Sequence, residues 1–96
     1  MTAFIATLKV KDEKAADFEK LQTELSELTH KHEPDTFVYD VIRHREKPGV
    51  YVVYARFKDE AAFNLHMETE FHDRLVPPIM ECLDADMELE FYDFVA

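Results

Sequence analysis

The sequence predicts a single α+β domain whose strands and helices follow one another in the order β-α-β-β-α-β. The chain of 96 residues has room for one domain and one hydrophobic core. Four segments alternate apolar and polar side chains as strands do, and the stretches between them repeat at steps of three and four as helices do. This order is that of the ferredoxin-like split βαβ fold, so we expect a four-stranded antiparallel sheet with helices on one face.

The first half of the chain is predicted to form a strand, a long helix and a second strand. Residues 3–10 place alternate apolar side chains on one face, and Asp12 is predicted to cap the following helix. The inner face of that helix is predicted to contain Phe18, Leu21, Leu25, Leu28 and His32. Pro34 ends the helix, because the residue before a proline is pushed out of the helical region. Residues 36–44 then form a strand, with Phe37, Tyr39 and Val41 toward the helices.

The second half of the chain repeats the pattern after a polar turn at residues 45–49. Residues 50–57 are apolar on both faces, as in a strand that is covered on both sides. Asp59 and Thr69 are predicted to cap two successive helical segments, and Pro77-Pro78 is predicted to kink or restart the second. Residues 86–95 close the domain as a strand. The full prediction is one domain over residues 1–96.

Composition excludes several classes of function. The 21 acidic residues outnumber the 11 basic ones, and a net charge of −10 repels nucleic acid. Gly49 is the only glycine, which excludes the glycine-rich cradles that bind dinucleotides and phosphates. The lone Cys82 allows no internal disulfide and fits a reducing cytoplasm. No apolar run is long enough to cross a membrane, and no signal peptide is expected.

The second face of the predicted sheet is too apolar to face water. It is expected to contain Ile5, Val38, Ile42, Val50, Val52, Tyr54, Tyr92 and Phe94. A second copy of the chain covering this face is the simplest solution. We therefore predict a homodimer in which two sheets form an α+β barrel.

His66 is the strongest candidate for a chemical role, because it lies where a buried strand leads into a short helix. It is predicted to act as a general acid/base or substrate anchor in a pocket between sheet and helices. The alternative is a hydrogen-bonded histidine at the edge of the core. His72, six residues on, could join it only if the chain turns near Thr69, because these positions point about 120° apart in one continuous helix.

Aromatic side chains are predicted to complete the pocket and bind the substrate. Besides His72, the candidate substrate-binding residues are Tyr39, Tyr51, Phe57 and Phe63. Core filling is the alternative for each tyrosine. Histidines and carboxylates between His66 and Asp73 match no specific metal signature, so no metal site is predicted.

With these segments placed, the chain resembles the antibiotic biosynthesis monooxygenase (ABM) family of dimeric α+β barrels. The resemblance is carried by FIATLKVK, EPDTFVYDVIR and above all YVVYARFKDEAAFNLHMETEFH. It implies oxygenation of a small phenol or quinol by dioxygen without a cofactor, with His66 at the position of the family's helix histidine. That histidine would deprotonate the substrate hydroxyl.

Some positions depart from the family pattern. Many members have a glutamate where Ala55 stands, so the natural carboxylate partner of the histidine is missing. The family's second histidine falls at Phe71, with His72 one place later. The residues typical of haem-degrading members are absent at Ala6, His66 and Val76, so haem degradation is not predicted.

Two other functions remain open at this stage. The segment KDEAAFNLH also resembles an isomerase that processes phosphorylated autoinducer-2, a phosphorylated hydroxyketone. A non-catalytic dimeric module that binds a small ligand is the third possibility. Because fold does not determine function, the sequence leaves the choice to the site.

Overall fold

The computed structural model describes all 96 residues as one α+β unit. The strands are β1 (Thr2–Lys9), β2 (Thr36–Arg43), β3 (Val50–Phe57) and β4 (Glu88–Asp93). The helices are α1 (Ala15–His32), α2 (Glu60–Met67) and α3 (Glu70–Glu81). The predicted element order is confirmed. The helical region between β3 and β4 consists of two helices, α2 and α3.

All four strands form one antiparallel sheet in the order β2-β3-β1-β4. The central strands β3 and β1 pair over their whole length, from Thr2 opposite Phe57 to Lys9 opposite Val50. This connectivity confirms the ferredoxin-like prediction. The turn between β2 and β3 depends on Gly49, which has a φ of +76° and packs so closely that a Cβ would lie 2.7 Å from the Val10 carbonyl oxygen.

One irregularity in the sheet corrects the predicted alternation of β2. The register with β3 shifts between Thr36 and Val38, so Phe37 has no opposite partner. Phe37 is 44% exposed, whereas Thr36 and Tyr39 are buried. The prediction that Phe37 shares the inner face with Tyr39 is therefore wrong, because a bulge adds one residue to the strand.

The helix caps agree with the sequence in two cases out of three. The Asp59 carboxylate accepts a hydrogen bond from the Ala62 N–H at 2.9 Å, and the Thr69 hydroxyl accepts one from the His72 N–H at 3.3 Å. Asp12 does not cap α1, because residues 12–14 form a 3₁₀ turn that leads directly into the helix. The predicted restart at Pro77 is also wrong, since α3 runs through both prolines. Its apolar face, buried through Phe71, Leu75 and Ile79, offsets the missing N–H donors.

The hydrophobic core lies between one face of the sheet and the three helices. Its most enclosed large side chains are Phe18, Phe57, Leu8 and Leu25. The other face of the sheet has no covering layer within the chain; Ile42 on that face is 58% exposed. None of the three helices combines the length and hydropathy that a membrane span requires.

Candidate functional site

A cavity of about 140 Å³ lies between the inner face of the sheet and the helices. Thirteen of its sixteen lining residues are hydrophobic, and the three others are Gln22, His66 and His72. A ligand inside it would therefore make few polar contacts, and each of them would be made away from bulk water. The more exposed Met67, Met80 and Leu89 form its mouth, because each is more than two-fifths exposed.

His66 lies at the buried end of α2 and is only 1% exposed. The Asp59 cap begins this short helix directly after β3, which places His66 two turns later on the side that faces the sheet. Its imidazole packs against the rings of Tyr39 and Phe57, with centroid separations of 5.2 and 5.5 Å. These contacts fix the orientation of the imidazole in the cavity wall.

A buried carboxylate holds the imidazole from the other side. Nδ1 of His66 lies 3.0 Å from both carboxylate oxygens of Glu33, which is itself 3% exposed. Glu33 is the residue immediately after α1, and its N–H donates to the Thr29 carbonyl oxygen. The Thr36 hydroxyl donates a further hydrogen bond to Glu33 Oε1 at 2.8 Å. The carboxylate is thus held between the end of α1 and the start of β2.

This arrangement defines the chemistry available at His66. An ionised carboxylate only accepts hydrogen bonds, so Nδ1 is the protonated nitrogen of the neutral imidazole. Both hydrogen bonds of the ring use Nδ1, which leaves the lone pair of Nε2 free. A carboxylate on Nδ1 also stabilises the imidazolium that forms when Nε2 accepts a proton. His66 is therefore arranged to act as a base through Nε2, with the Glu33 carboxylate as the counter-charge of the imidazolium.

His72 joins His66 because the chain turns between the two helices. Their ring centroids are 5.0 Å apart and nearly perpendicular, so the condition set by the sequence, a break near Thr69, is met. Burial lowers the pKa of His72 below 6.5, and the positive charge that His66 acquires on protonation adds to this effect. His72 is neutral at physiological pH and lines the same cavity.

Tyr39 and Phe63 also line the cavity, whereas two other predicted residues do not. Burial raises the pKa of Tyr39 well above its usual range, and the nearby negative charge of Glu33 raises it further, so its phenol stays protonated. Phe57 lies behind His66 and packs on it without lining the cavity. The Tyr51 hydroxyl is directed elsewhere and donates a hydrogen bond to Glu19, in the groove between α1 and β2. The structure thus brings together His66, His72, Tyr39 and Phe63.

Two polar residues of this region were missed by the sequence reasoning. The sequence pattern assigns Glu33 only to the segment that ends α1, and it assigns no role to Gln22. A usable signal existed for Gln22: it occupies a core position of α1 by spacing from Phe18 and Leu25. No local signal pairs Glu33 with His66, because they are 33 residues apart. No group of three or more His, Cys, Asp and Glu side chains is arranged to hold a metal ion.

The family profile described as antibiotic biosynthesis monooxygenase matches residues 1–77. No functionally curated protein matches the sequence.

Solved structures give close similarities over nearly the whole chain. A structure of an antibiotic biosynthesis monooxygenase is 32% identical, with a TM-score of 0.91 and complete coverage of both chains. A Caulobacter crescentus protein, provisionally assigned to the same group, is 28% identical with a TM-score of 0.95, covering 99% of this chain and 90% of its own. A conserved protein from Methanosarcina mazei is also 28% identical, with a TM-score of 0.89 and coverages of 95% and 89%.

The profile match covers more than two-thirds of the 96 residues and includes the strand, helix and histidine that form the cavity wall. The structural matches agree with it in fold and in length. The chain belongs to the antibiotic biosynthesis monooxygenase family.

Proposed function

We propose that the protein is a monooxygenase that uses dioxygen to oxidise a small phenol or quinol, without a cofactor, and that His66 is its acid/base. The observation that carries this proposal is the buried Glu33–His66 pair in the wall of an apolar cavity. Family membership supports the reaction class. The Glu33 carboxylate would take the part that a glutamate at the position of Ala55 plays in many relatives.

The proposed reaction begins with proton transfer from a substrate hydroxyl to Nε2 of His66. The resulting phenolate or quinolate donates electrons to dioxygen more readily than the neutral molecule does. For a quinol the balance is one quinol and one dioxygen giving one hydroxylated quinone and one water. The substrate itself supplies the electrons, and His66 returns its proton to the departing oxygen atom.

The surroundings of His66 support this chemistry. An apolar cavity excludes water, which strengthens the attraction between the imidazolium and Glu33. Tyr39 and Phe63 can hold a flat substrate by edge and face contacts, which are favourable between aromatic rings. Tyr39, being protonated, can donate a hydrogen bond but cannot compete with His66 as a base.

Oxygen consumption tests the proposal most directly. Purified protein treated with a chelator would be supplied with reduced single-ring and two-ring quinols under a calibrated oxygen electrode. We expect uptake above autoxidation that falls about 10²- to 10⁴-fold in the variant His66→Gln, which is the usual contribution of a general acid/base. His30→Gln is the matched control, because His30 is exposed on α1 away from the cavity.

The outcomes separate the open functions. Uptake that survives chelation and disappears only in His66→Gln supports the monooxygenase. Binding of quinols without uptake by a folded protein contradicts it and favours a ligand-binding module. Turnover of a phosphorylated hydroxyketone in place of quinols would instead indicate the isomerase.

We also propose that the working unit is a cytoplasmic homodimer formed through the outer face of the sheet. Ile42 and Tyr92 on this face are 58% and 45% exposed. The Arg56 guanidinium lies over the Phe94 ring at 4.9 Å, and its Nε is enclosed without a hydrogen-bond partner. An apolar surface of this kind is stabilised by burial against a second copy. The free, buried Cys82 fits a reducing compartment.

Light scattering during size-exclusion chromatography measures the oligomeric state. Ile42→Glu places a charge on the proposed interface and should convert a dimer to a monomer. Leu65→Glu is the control, because Leu65 is 54% exposed on the helical side of the domain. A wild-type protein that elutes as a monomer at micromolar concentration would contradict the proposed dimer.

A further inference from the structure

His72 is a second histidine of the cavity wall, and its ring has no partner in the protein. It lies in the first turn of α3, and its ring centroid is 5.0 Å from that of His66. The His66 ring is held by Glu33, whereas His72 forms hydrogen bonds through its backbone only. Neither ring nitrogen of His72 is enclosed. The imidazole of His72 is therefore free to exchange a proton with a molecule in the cavity.

The other polar groups of the cavity cannot serve as a second base. Gln22 has an amide, which carries no basic atom at neutral pH. The phenol of Tyr39 stays protonated, because burial raises its pKa. His72 is neutral, because burial lowers its pKa, and one of its ring nitrogens therefore has a free lone pair. Besides His66, His72 is thus the one basic side chain that lines this cavity.

The oxidation of a quinol requires two protons to be moved. His66 takes the first from a hydroxyl group, the neighbouring ring carbon bonds dioxygen, and His66 returns the proton to the outer oxygen atom. The product of these steps is a hydroperoxide on a carbon that still carries a hydrogen. Water can leave only when that second proton is removed. The C–H electron pair then forms the C=O bond, and the O–O bond breaks with its electron pair on the departing hydroxide.

We propose that His72 is the second acid/base of the reaction, which takes the proton from the carbon bearing the hydroperoxide and delivers it to the departing hydroxide. The overall balance remains one quinol and one dioxygen giving one hydroxylated quinone and one water. This role rests on the proposed function, because only the proposed oxygenation forms the hydroperoxide. The two imidazoles are neighbours in the wall, so they can reach a hydroxyl oxygen and the adjacent carbon of one substrate.

The order of the steps avoids two positive charges in the cavity. A protonated His66 disfavours protonation of His72. In the proposed sequence His66 has already returned its proton when His72 accepts the second one. The two rings therefore share the work of the reaction without being charged at the same time.

Without a second base the hydroperoxide decays by another route. Its C–O bond breaks, the hydroperoxide ion leaves with the bonding electron pair, and a proton from the remaining hydroxyl group converts that ion to hydrogen peroxide. One quinol and one dioxygen then give one quinone without added oxygen and one hydrogen peroxide. The ratio of hydroxylated quinone to hydrogen peroxide thus reports on the second base separately from the rate of oxygen uptake.

Product analysis under isotopically labelled dioxygen is the appropriate experiment. The probe is methylhydroquinone, a single-ring quinol with free carbon positions beside its hydroxyls. Mass spectrometry separates the two quinones, a peroxidase assay measures hydrogen peroxide, and the autoxidation of a protein-free sample is subtracted. We expect the ratio of hydroxylated quinone to hydrogen peroxide to fall about 10²-fold or more in His72→Gln, the usual contribution of a general acid/base.

His32→Gln is the matched control for this experiment. His32 is an exposed histidine at the end of α1 that packs against Phe71 of α3, with ring centroids 5.9 Å apart, and it does not line the cavity. Its substitution should leave the ratio unchanged.

Chemical rescue distinguishes a basic role of His72 from a structural one. His72→Ala leaves space beside the cavity for a small ring. Added imidazole should restore the ratio of hydroxylated quinone to hydrogen peroxide in this variant. Pyrazole, a ring of the same size and much lower basicity, should not restore it. His72 is only half-buried, so both variants are expected to fold, and either is sufficient to decide.

The failures of the two proposals are distinguishable. Oxygen uptake with equal product ratios in wild type and His72→Gln would overturn the role of His72 and support the monooxygenase. A ratio in His72→Ala that both rings restore, or neither, would overturn the role of His72 as well. Absence of uptake by the wild-type protein would contradict the monooxygenase and the second acid/base with it.

Discussion

Two glutamates at opposite ends of α1 bind groups from elsewhere in the fold, with different consequences. Glu33, after the last turn, is 3% exposed and contacts the equally buried His66. Glu19, near the first turn, has a side chain 45% exposed and contacts Arg43 and Tyr51. The hydrogen bond from Tyr51, and then the hydrogen bond and the charge of Arg43, lower the pKa of Glu19. Water around Glu19 still screens its ion pair with Arg43.

The comparison teaches that burial, and not the number of partners, distinguishes a chemical site from a surface cluster. Glu19 lines a groove between α1 and β2 that also contains Glu27 and Asp40, and that groove is open and acidic. Glu33 and His66 lie beside an apolar cavity, where charges and hydrogen bonds interact more strongly than they do at the water-exposed surface. The largest effects of substitution are therefore expected at the buried pair.

Glu33→Ala should produce the largest loss of stability. It leaves the His66 N–H and the Thr36 hydroxyl without their acceptor in the interior and also removes buried atoms. We expect the free energy of unfolding to fall by about 2–5 kcal/mol, as measured by urea denaturation.

Glu33→Gln sharpens the same comparison, because it keeps an acceptor oxygen while removing the charge. It should cost about 1 kcal/mol of stability. Oxygen uptake should still fall by about tenfold or more, since the imidazolium loses its counter-charge. Equal uptake in Glu33→Gln and wild type would show that the carboxylate has no part in catalysis.

His72 should make stability depend on pH in a predictable direction. Its pKa in the folded protein is below 6.5, so the unfolded chain binds the proton more readily. The stabilising contribution is therefore complete above pH 6.5 and is lost as the pH falls through the lower pKa of the folded state. His72→Gln should lose less thermal stability than wild type between about pH 7.5 and about pH 5.5.

The measurement is the difference in Tm between the two proteins across that pH range, which cancels the histidines they share. His30→Gln is a control, because His30 is exposed on α1. A parallel pH dependence of wild type and His72→Gln would contradict the effect of burial on His72.

Arg43→Gln should give the smallest effect. The Arg43 and Glu19 side chains are 66% and 45% exposed, and exposed ion pairs contribute little. We expect Tm to change by no more than about 3 °C, and the change to vanish in about 1 M salt. Thermal denaturation at two salt concentrations measures this. A large, salt-independent loss would mean that the Glu19 cluster is structurally as important as the Glu33 pair.

Much of the architecture could be predicted because it depends on local pattern. The bounds of β3, the Asp59 and Thr69 caps and the order of elements all follow from residues adjacent in the chain. The errors arose where tertiary packing overrides local preference. The bulge at Phe37 allows both Thr36 and Tyr39 to be buried, and the packing of α3 carries the helix through Pro77.

The site shows the same division. His66 could be selected from the sequence because a polar, titratable ring stands between a buried strand and a helix. Its partner Glu33 could not, because the contact joins the end of α1 to the end of α2. Gln22 has a core position in the helical pattern, but only the tertiary structure shows that its Oε1 is enclosed without a hydrogen-bond partner.

The sequence by itself determined the class of fold, the apolar outer face of the sheet and the identity of the central histidine. These depend on periodicity and composition, which are properties of neighbouring residues. Only the tertiary structure decided that Glu33 contacts His66, that His72 packs against His66, and that Gln22 lines the cavity. Such contacts join residues far apart in the chain, and they exist only after the helices have packed on the sheet.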